Sequence, residues 1–299
     1  MAQMDVSEIK RLLVFGKNGQ VAQELACLKP PHRLAFCFAG REDCDLLTAD
    51  PGALISEMRP VGVINASAYT AVDKAESEPD AAFRLNRDAV ALMARACASA
   101  DIPFVHISTD YVFDGAKTEP YVETDPRNPI SVYGASKAAG EEAIEAAGGR
   151  WTIFRTAWVF SSFGANFVKT MRRLASERAE IAVVADQHGR PTLAADMAAT
   201  ALEAVRRDLA GDPSLRGVFH LAGADDAVWA DVAERVFEDV GQRTGRRPRL
   251  KRITTAEYPT PAARPANSRL DTSKLQAAGW SPRSWGEAVD LCLAKLQAG

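Results

Sequence analysis

A chain of 299 residues with 47% apolar and 25% charged side chains has the material for one large packed unit or two unequal ones. Its formal net charge of −3 excludes a bulk electrostatic hold on nucleic acid or an anionic membrane, and no apolar run approaches membrane-spanning length. Five cysteines (Cys27, Cys37, Cys44, Cys97, Cys292) without CxxC spacing argue against a disulfide framework, and four scattered histidines argue against a protein-built zinc site. The first eight residues hold no apolar signal core, so the chain reads as cytoplasmic.

The first half alternates in period. Arg11-Leu12-Leu13-Val14-Phe15 reads as a buried strand, followed by a glycine-containing turn and a helix over residues 21–28, stopped by Pro30-Pro31. Further strands are expected over 34–38, 61–66, 104–107 and 151–155. A long helix is expected over 81–100 with Pro79 at its start, and another over 133–147 ending at Gly148-Gly149. Continuous apolar strands joined by helices predict an α/β fold: a Rossmann-type doubly wound parallel sheet. After about residue 160 the rhythm changes. Helices are expected over 167–176, 193–209, 228–240 and 285–296, with strands over 181–184 and 217–221. The division that follows is a dinucleotide-binding domain over 1–160, rejoined by about 190–225, and a smaller C-terminal substrate domain from 161–189 and 226–299. The basic run at 245–252 reads as a solvated turn before a strand, and Pro259, Pro261 and Pro265 make 259–267 an ordered loop.

The turn after the first strand is Gly16-Lys17-Asn18-Gly19-Gln20-Val21-Ala22. Gly16 allows the bend, Gly19 lets backbone approach a pyrophosphate, and small Ala22 lets the helix pack on the strand. The pattern is a relative of the dinucleotide fingerprint, with an ordinary two-glycine turn as its bland alternative. At the end of the second strand, where a ribose-binding acid is expected for NAD, the chain carries Arg41. A guanidinium suits a 2′-phosphate, so the cofactor expected is NADPH, with NADH also admitted.

Tyr133 and Lys137 stand four apart in Tyr133-Gly134-Ala135-Ser136-Lys137, downstream of Ser108-Thr109. On a helix they share a face, so an ammonium beside the phenol would favour the phenolate and fit Tyr133 for proton transfer. Thr109 would be a second donor to a carbonyl oxygen. The spacing alone is a weak signal, because chance produces it often.

Taken together, these segments resemble the extended short-chain dehydrogenase/reductase superfamily and, within it, the dTDP-4-dehydrorhamnose reductase family. The resemblance also rests on Asn65-Ala66-Ser67-Ala68-Tyr69-Thr70-Ala71-Val72-Asp73, Ser108-Thr109-Asp110-Tyr111-Val112-Phe113-Asp114-Gly115, Arg155-Thr156-Ala157-Trp158, Asp186-Gln187-His188-Gly189-Arg190-Pro191-Thr192 and Arg264-Pro265-Ala266-Asn267. It implies reduction of the C4 ketone of a dTDP-sugar, with Tyr133 as proton donor, Thr109 polarising the carbonyl and Lys137 holding the nicotinamide ribose. By the same resemblance Gly19, Gln20, Val21, Asp45, Leu46, Ala68, Tyr69 and Thr70 touch the dinucleotide, and Asp110 and Trp158 touch the sugar nucleotide. Asn166, Arg190 and Arg264 are further substrate-side candidates, with structural roles as the alternative. Some relatives hold Mg²⁺ through glutamates at a subunit contact. Glu24 matches one such position, but Ala195 stands where another acid is expected, with Asp196 next to it, so no metal is expected here. A homodimer is admitted. A dehydratase or epimerase of the same superfamily stays open, as does a non-catalytic relative resembling the regulatory subunit of methionine adenosyltransferase. Tyr111 stands where dehydratases carry an acid, which disfavours the first of these.

Overall fold

The computed structural model describes residues 9–298. Strands β1 (Lys10–Phe15), β2 (Leu34–Ala39), β3 (Gly62–Asn65), β4 (Phe104–Thr109), β5 (Trp151–Thr156) and Gly217–His220 form one six-stranded sheet in which every pair is parallel. Its order is Gly217–His220, β5, β4, β3, β1, β2. The chain leaves β1 in one direction to make β2 and then crosses back to make β3 on the other side. This reversal opens a crevice at the carboxyl ends of β1 and β3, where doubly wound sheets take ligands.

Successive side chains of a strand face opposite ways, and both sets are apolar here. Leu12, Val14, Ile64, Val105 and Phe154 pack against Val21 and Leu25 of α1 (Gln20–Ala26) and against Met197, Ala201 and Val205 of the helix Ala194–Leu209. Leu13, Phe15, Val63, Phe104 and Ile153 face Ile55 of α2 (Pro51–Met58), Met93 and Cys97 of the helix Ala89–Ser99, and Ile144 of the helix Val132–Ala147. Burying a Leu or Phe side chain in this way stabilises by about 1.5–3 kcal/mol. The two-sided cover is why these strands lack polar alternation.

Two elements differ from expectation. Helix α2 was not foreseen; Asp50 caps it by accepting from Gly52 N, with Pro51 in its first turn. The helix expected over 81–100 is interrupted. It runs as Pro79–Phe83, a π-helical turn Arg84–Asp88, then Ala89–Ser99. The extra residue of a π turn rotates Asn86 inward, where it accepts from Tyr69 N and donates to Tyr69 O and Ser136 Oγ.

A second core joins Val168 and Met171 of the helix Phe167–Glu177 to Val236 and Phe237 of the helix Trp229–Thr244, with Val289 and Leu293 of the helix Trp285–Ala298. Strand Glu180–Val184 pairs in parallel with Arg249–Ile253. The basic run at 245–252 is thus a turn only up to the start of that strand, and Arg247, Arg249 and Arg252 are ion-paired, Arg249 with Glu180. Arg252 pairs with Asp231 and Glu234, and Arg247 with Glu234 and Glu238. Among the described residues no helix is long and apolar enough to cross a membrane.

Candidate active site

A cleft of about 820 Å³ opens at the carboxyl ends of the central strands and is walled on its far side by the second core. Its floor is the first βα turn. Gly16 has φ +91, and a Cβ there would meet Ser67 N at 2.7 Å, so only glycine lets β1 and the β3 loop run this close. Gly19 caps α1 and donates its N–H to Gly16 O at 2.7 Å.

Of the residues expected at the cofactor, Gly16, Gly19, Gln20, Val21, Arg41, Asp45, Leu46, Ala68, Thr70, Tyr133 and Lys137 line this cleft. Tyr69 does not: its hydroxyl donates to Glu78 at 2.7 Å, and only its backbone, clasped by Asn86, serves the wall. Arg41 is exposed, and Lys17, which also lines the cleft, pairs its ammonium with Glu42 at 2.6 Å. Of the substrate-side residues, Thr109, Asp110, Trp158 and Asn166 line the cleft. Arg190 and Arg264 do not. Arg190 binds Asp226 at 2.8 Å and Leu270 O at 2.9 Å, and Arg264 binds Asp73 at 2.7 Å. Both arginines tie segments together behind the wall.

The polar centre is built from two elements. β4 delivers Thr109 and Asp110 at its end; the helix Val132–Ala147 delivers Tyr133 and Lys137 from one face, capped by Ser131 accepting from Gly134 N. Thr109 Oγ1 donates to Asp110 Oδ1 at 3.0 Å and accepts from Tyr111 N at 3.2 Å. Asp110 is 4% exposed; burial raises its pKa to about 6 against hydrogen bonds from Ser268 and Thr109, and its Oδ2 has no partner.

Lys137 departs from expectation. Its Nζ donates to Ile107 O at 2.6 Å and lies 3.0 Å from His106 Nε2, so it faces strand β4. Burial, countered by Glu141, lowers its pKa to about 8. The phenol of Tyr133 is accordingly not drawn towards phenolate. Burial pushes its pKa upward, the Thr109 side chain opposes this, and Asp110 adds to the rise. A high pKa leaves Tyr133 holding its proton, which suits an acid rather than a base.

Trp158 sits in the left-handed region (φ +53) and stacks on Trp229 with ring centroids 3.7 Å apart at 11°. Gly189 lies under the indole, and a Cβ there would strike Cε2. Trp229 also lines the cleft, anchored by Nε1 donating to Gln187 Oε1 at 3.2 Å. Sequence reasoning missed it, because a tryptophan opening an amphipathic helix reads as core, and no local signal set it apart. Asn166 is committed to structure, capping the helix Phe167–Glu177 and donating to Gln20 Oε1 at 2.9 Å. It thereby ties the second core to the glycine turn.

The candidate metal carboxylates do not fit a divalent ion. Glu24 accepts from Ser161 Oγ at 2.7 Å and pairs with Lys295 at 2.9 Å, while Asp196 pairs with Arg283. The charge that would attract a cation is already met by the chain's own.

A family model described as "RmlD substrate binding domain" matches residues 10–298. The chain is 48% identical over 268 residues to a dTDP-4-dehydrorhamnose reductase of Sinorhizobium fredii, covering 89% of this chain and 90% of that one. Among solved structures, a dTDP-4-dehydrorhamnose reductase from Clostridium acetobutylicum matches with a TM-score of 0.88 and 34% identity, over 96% of this chain and 99% of that one. One from Bacillus anthracis, solved in complex with NADP, matches at 0.87 and 32% over the same shares. The chain therefore belongs to the dTDP-4-dehydrorhamnose reductase family and is an NAD(P)H-dependent oxidoreductase.

Proposed function

We propose that the protein reduces the C4 ketone of dTDP-4-dehydro-β-L-rhamnose to dTDP-β-L-rhamnose by hydride transfer from NADPH, with Tyr133 giving the proton to the C4 oxygen. The observation that carries this reading is that Thr109, Tyr133 and Lys137 open onto the same cleft as the glycine turn. A dinucleotide laid over Gly16 and Gly19 would bring its nicotinamide to that centre. Thr109, which lines the cleft with Tyr133, would share the same oxygen. Lys137 would hold the nicotinamide ribose, and Asp45, Leu46, Ala68 and Thr70 line the adenosine side.

Asp110 and the Trp158 face would take the sugar nucleotide, the carboxylate offering Oδ2 to a sugar hydroxyl and the indole its face to a ring. Hydride and proton come from different partners, NADPH and Tyr133, so no metal is required. A cytoplasmic setting fits cysteines that are all unpaired, with the Cys97 and Cys292 thiols raised by burial to about 12 and about 11.

The direct test is a coupled assay: NADPH, dTDP-4-keto-6-deoxyglucose and the preceding 3,5-epimerase, followed by loss of reduced nicotinamide absorbance. Turnover that needs all components is expected. Folded protein that oxidises no NADPH under those conditions would overturn the reading.

A further inference from the structure

Lys137 is 1% exposed, and what its Nζ can bond to is fixed by a run of hydrogen bonds that begins on β3. Ser67 donates its backbone N–H to Asn65 Oδ1 at 3.0 Å, and its hydroxyl does so at 2.5 Å. A backbone N–H can only donate, so the Asn65 oxygen must face Ser67 and its Nδ2 must face His106, 3.1 Å from Nδ1. An amide nitrogen also only donates, so Nδ1 of His106 carries the lone pair. His106 is 0% exposed and held well below the usual histidine range by burial and then by Lys137, so the ring is neutral and its hydrogen sits on Nε2. That N–H points at Lys137 Nζ, 3.0 Å away. An ammonium has three donors and no acceptor, whereas a neutral amine has a lone pair to receive it.

We propose that His106, oriented by Asn65, is a positioning residue that seats Lys137 as a neutral amine against β4, and that Lys137 takes up one proton when it leaves this seat for a dinucleotide in the cleft. The uptake rests on the reductase reading; the seat does not. One N–H bond forms on Nζ with a proton from solvent, and His106 keeps its Nε2 hydrogen throughout.

The surroundings agree. Burial lowers the Lys137 pKa to about 8. Glu141, one turn along the same helix, acts the other way, but its carboxylate is held by Arg155 of β5 at 2.7 Å and by Arg127 at 3.2 Å. Asp110 at the end of β4, ionised above its pKa of about 6, accepts from Thr109 Oγ1 at 3.0 Å, while the Lys137 Nζ contacts are His106 and Ile107 O. Charges on the elements packed against the lysine's helix are paired among themselves or turned outward: Arg87 with Asp88, Lys74 with Glu78, Asp73 with Arg264. Because binding takes up a proton, affinity for the dinucleotide falls as pH rises above the free-enzyme pKa, by up to tenfold per unit.

The seat is read directly by nitrogen NMR of the full chain labelled at histidine and lysine, without ligand. His32 and His188 are exposed, so the two buried rings are His106 and His220. His220 Nδ1 lies 3.0 Å from Tyr121 O, a pure acceptor, so this buried ring must carry its hydrogen on Nδ1. The expected result is two non-titrating rings of opposite tautomer, and one lysine already neutral at pH ~9, where an ordinary lysine of pKa ~10.4 is still charged. Two Nδ1–H buried rings, or every lysine still ammonium at that pH, would overturn the seat. Calorimetric titration with NADP⁺ in buffers of different ionisation enthalpy then reads the proton: uptake near pH ~9 in the wild type, lost in His106→Gln, whose carbonyl can turn to receive an ammonium. No uptake in the wild type, or full uptake in His106→Gln, overturns the switch. The NMR arm needs neither substrate nor turnover, so failure of the seat leaves ketone reduction standing, and failure of the coupled assay leaves the seat standing.

Discussion

Tyr133 and Asp110 are both raised by burial, but from starting values far enough apart that at neutral pH the phenol keeps its proton and the carboxyl does not. The phenol keeps its proton until a developing oxyanion demands it, so Tyr133→Phe is expected to lower kcat by about 10²–10⁴-fold while NADPH affinity stays within a few-fold. A near-wild-type rate in that variant would remove Tyr133 from the acid role. Asp110 carries a linkage with a definite sign. Its folded-state pKa of about 6 lies above the ~3.9 of an exposed aspartate, so the folded protein holds the proton more tightly than the unfolded chain. The burial penalty is absent below pH ~4, grows between the two values, and levels off above pH ~6 at up to ~3 kcal/mol. Asp110→Asn should therefore unfold at higher urea than the wild type at pH ~8 and show no such gain at pH ~4, while losing activity at both. A stability difference independent of pH would show that the charge of Asp110 is not the cause.

The helix Val132–Ala147 is brought to its place by glycines rather than by large side chains. At Gly140 a Cβ would strike Asn86 O, the backbone of the π turn. Helix propensity by itself favours alanine over glycine by about 1 kcal/mol, but a clash with backbone cannot be relieved by rotating a side chain. Gly140→Ala is expected to destabilise by about 1–3 kcal/mol and to raise KM for NADPH, because Asn86 also clasps the Tyr69 backbone in the cleft wall. A rise in the unfolding midpoint would show that the π turn yields freely. The same region marks where sequence reading stopped. Strands β1 to β5 were legible because strands buried on both faces leave unbroken apolar runs, and the glycine turn because its chemistry is local. The π turn was not, since one inserted residue barely disturbs the apolar face of Ala82, Leu85, Ala89 and Met93. Helix α2 is only eight residues long and opens on Pro51-Gly52, too short a segment to show a helical period. For Lys137 the i, i+4 spacing gave the helix face but not the end point of a long side chain, which packing against His106 decides. For Arg190 and Arg264 the motif gave proximity to the site but not their acidic partners, Asp226 and Asp73.

Across the whole molecule the sheet core carries the glycine turn and the reacting groups, and the second core supplies the opposite wall, with Asn166 to Gln20 as one direct tie between them. A dinucleotide bound along the sheet edge stabilises the folded chain by mass action, about 2.7 kcal/mol at 100 times its Kd. If Arg41 binds the 2′-phosphate, NADPH should raise the melting temperature more than NADH at equal concentration, and in Arg41→Ala that gap should close. A gap unchanged by the substitution would leave Arg41 out of cofactor choice. On the far wall, Trp158 and Trp229 already occupy one another's faces at 3.7 Å. A planar ring arriving there exchanges one stack for another, so its affinity registers only the difference between two similar contacts. The same closeness makes the pair an optical gauge: two indoles in contact share their excitation, and a ligand that parts them writes its occupancy into the protein's own fluorescence.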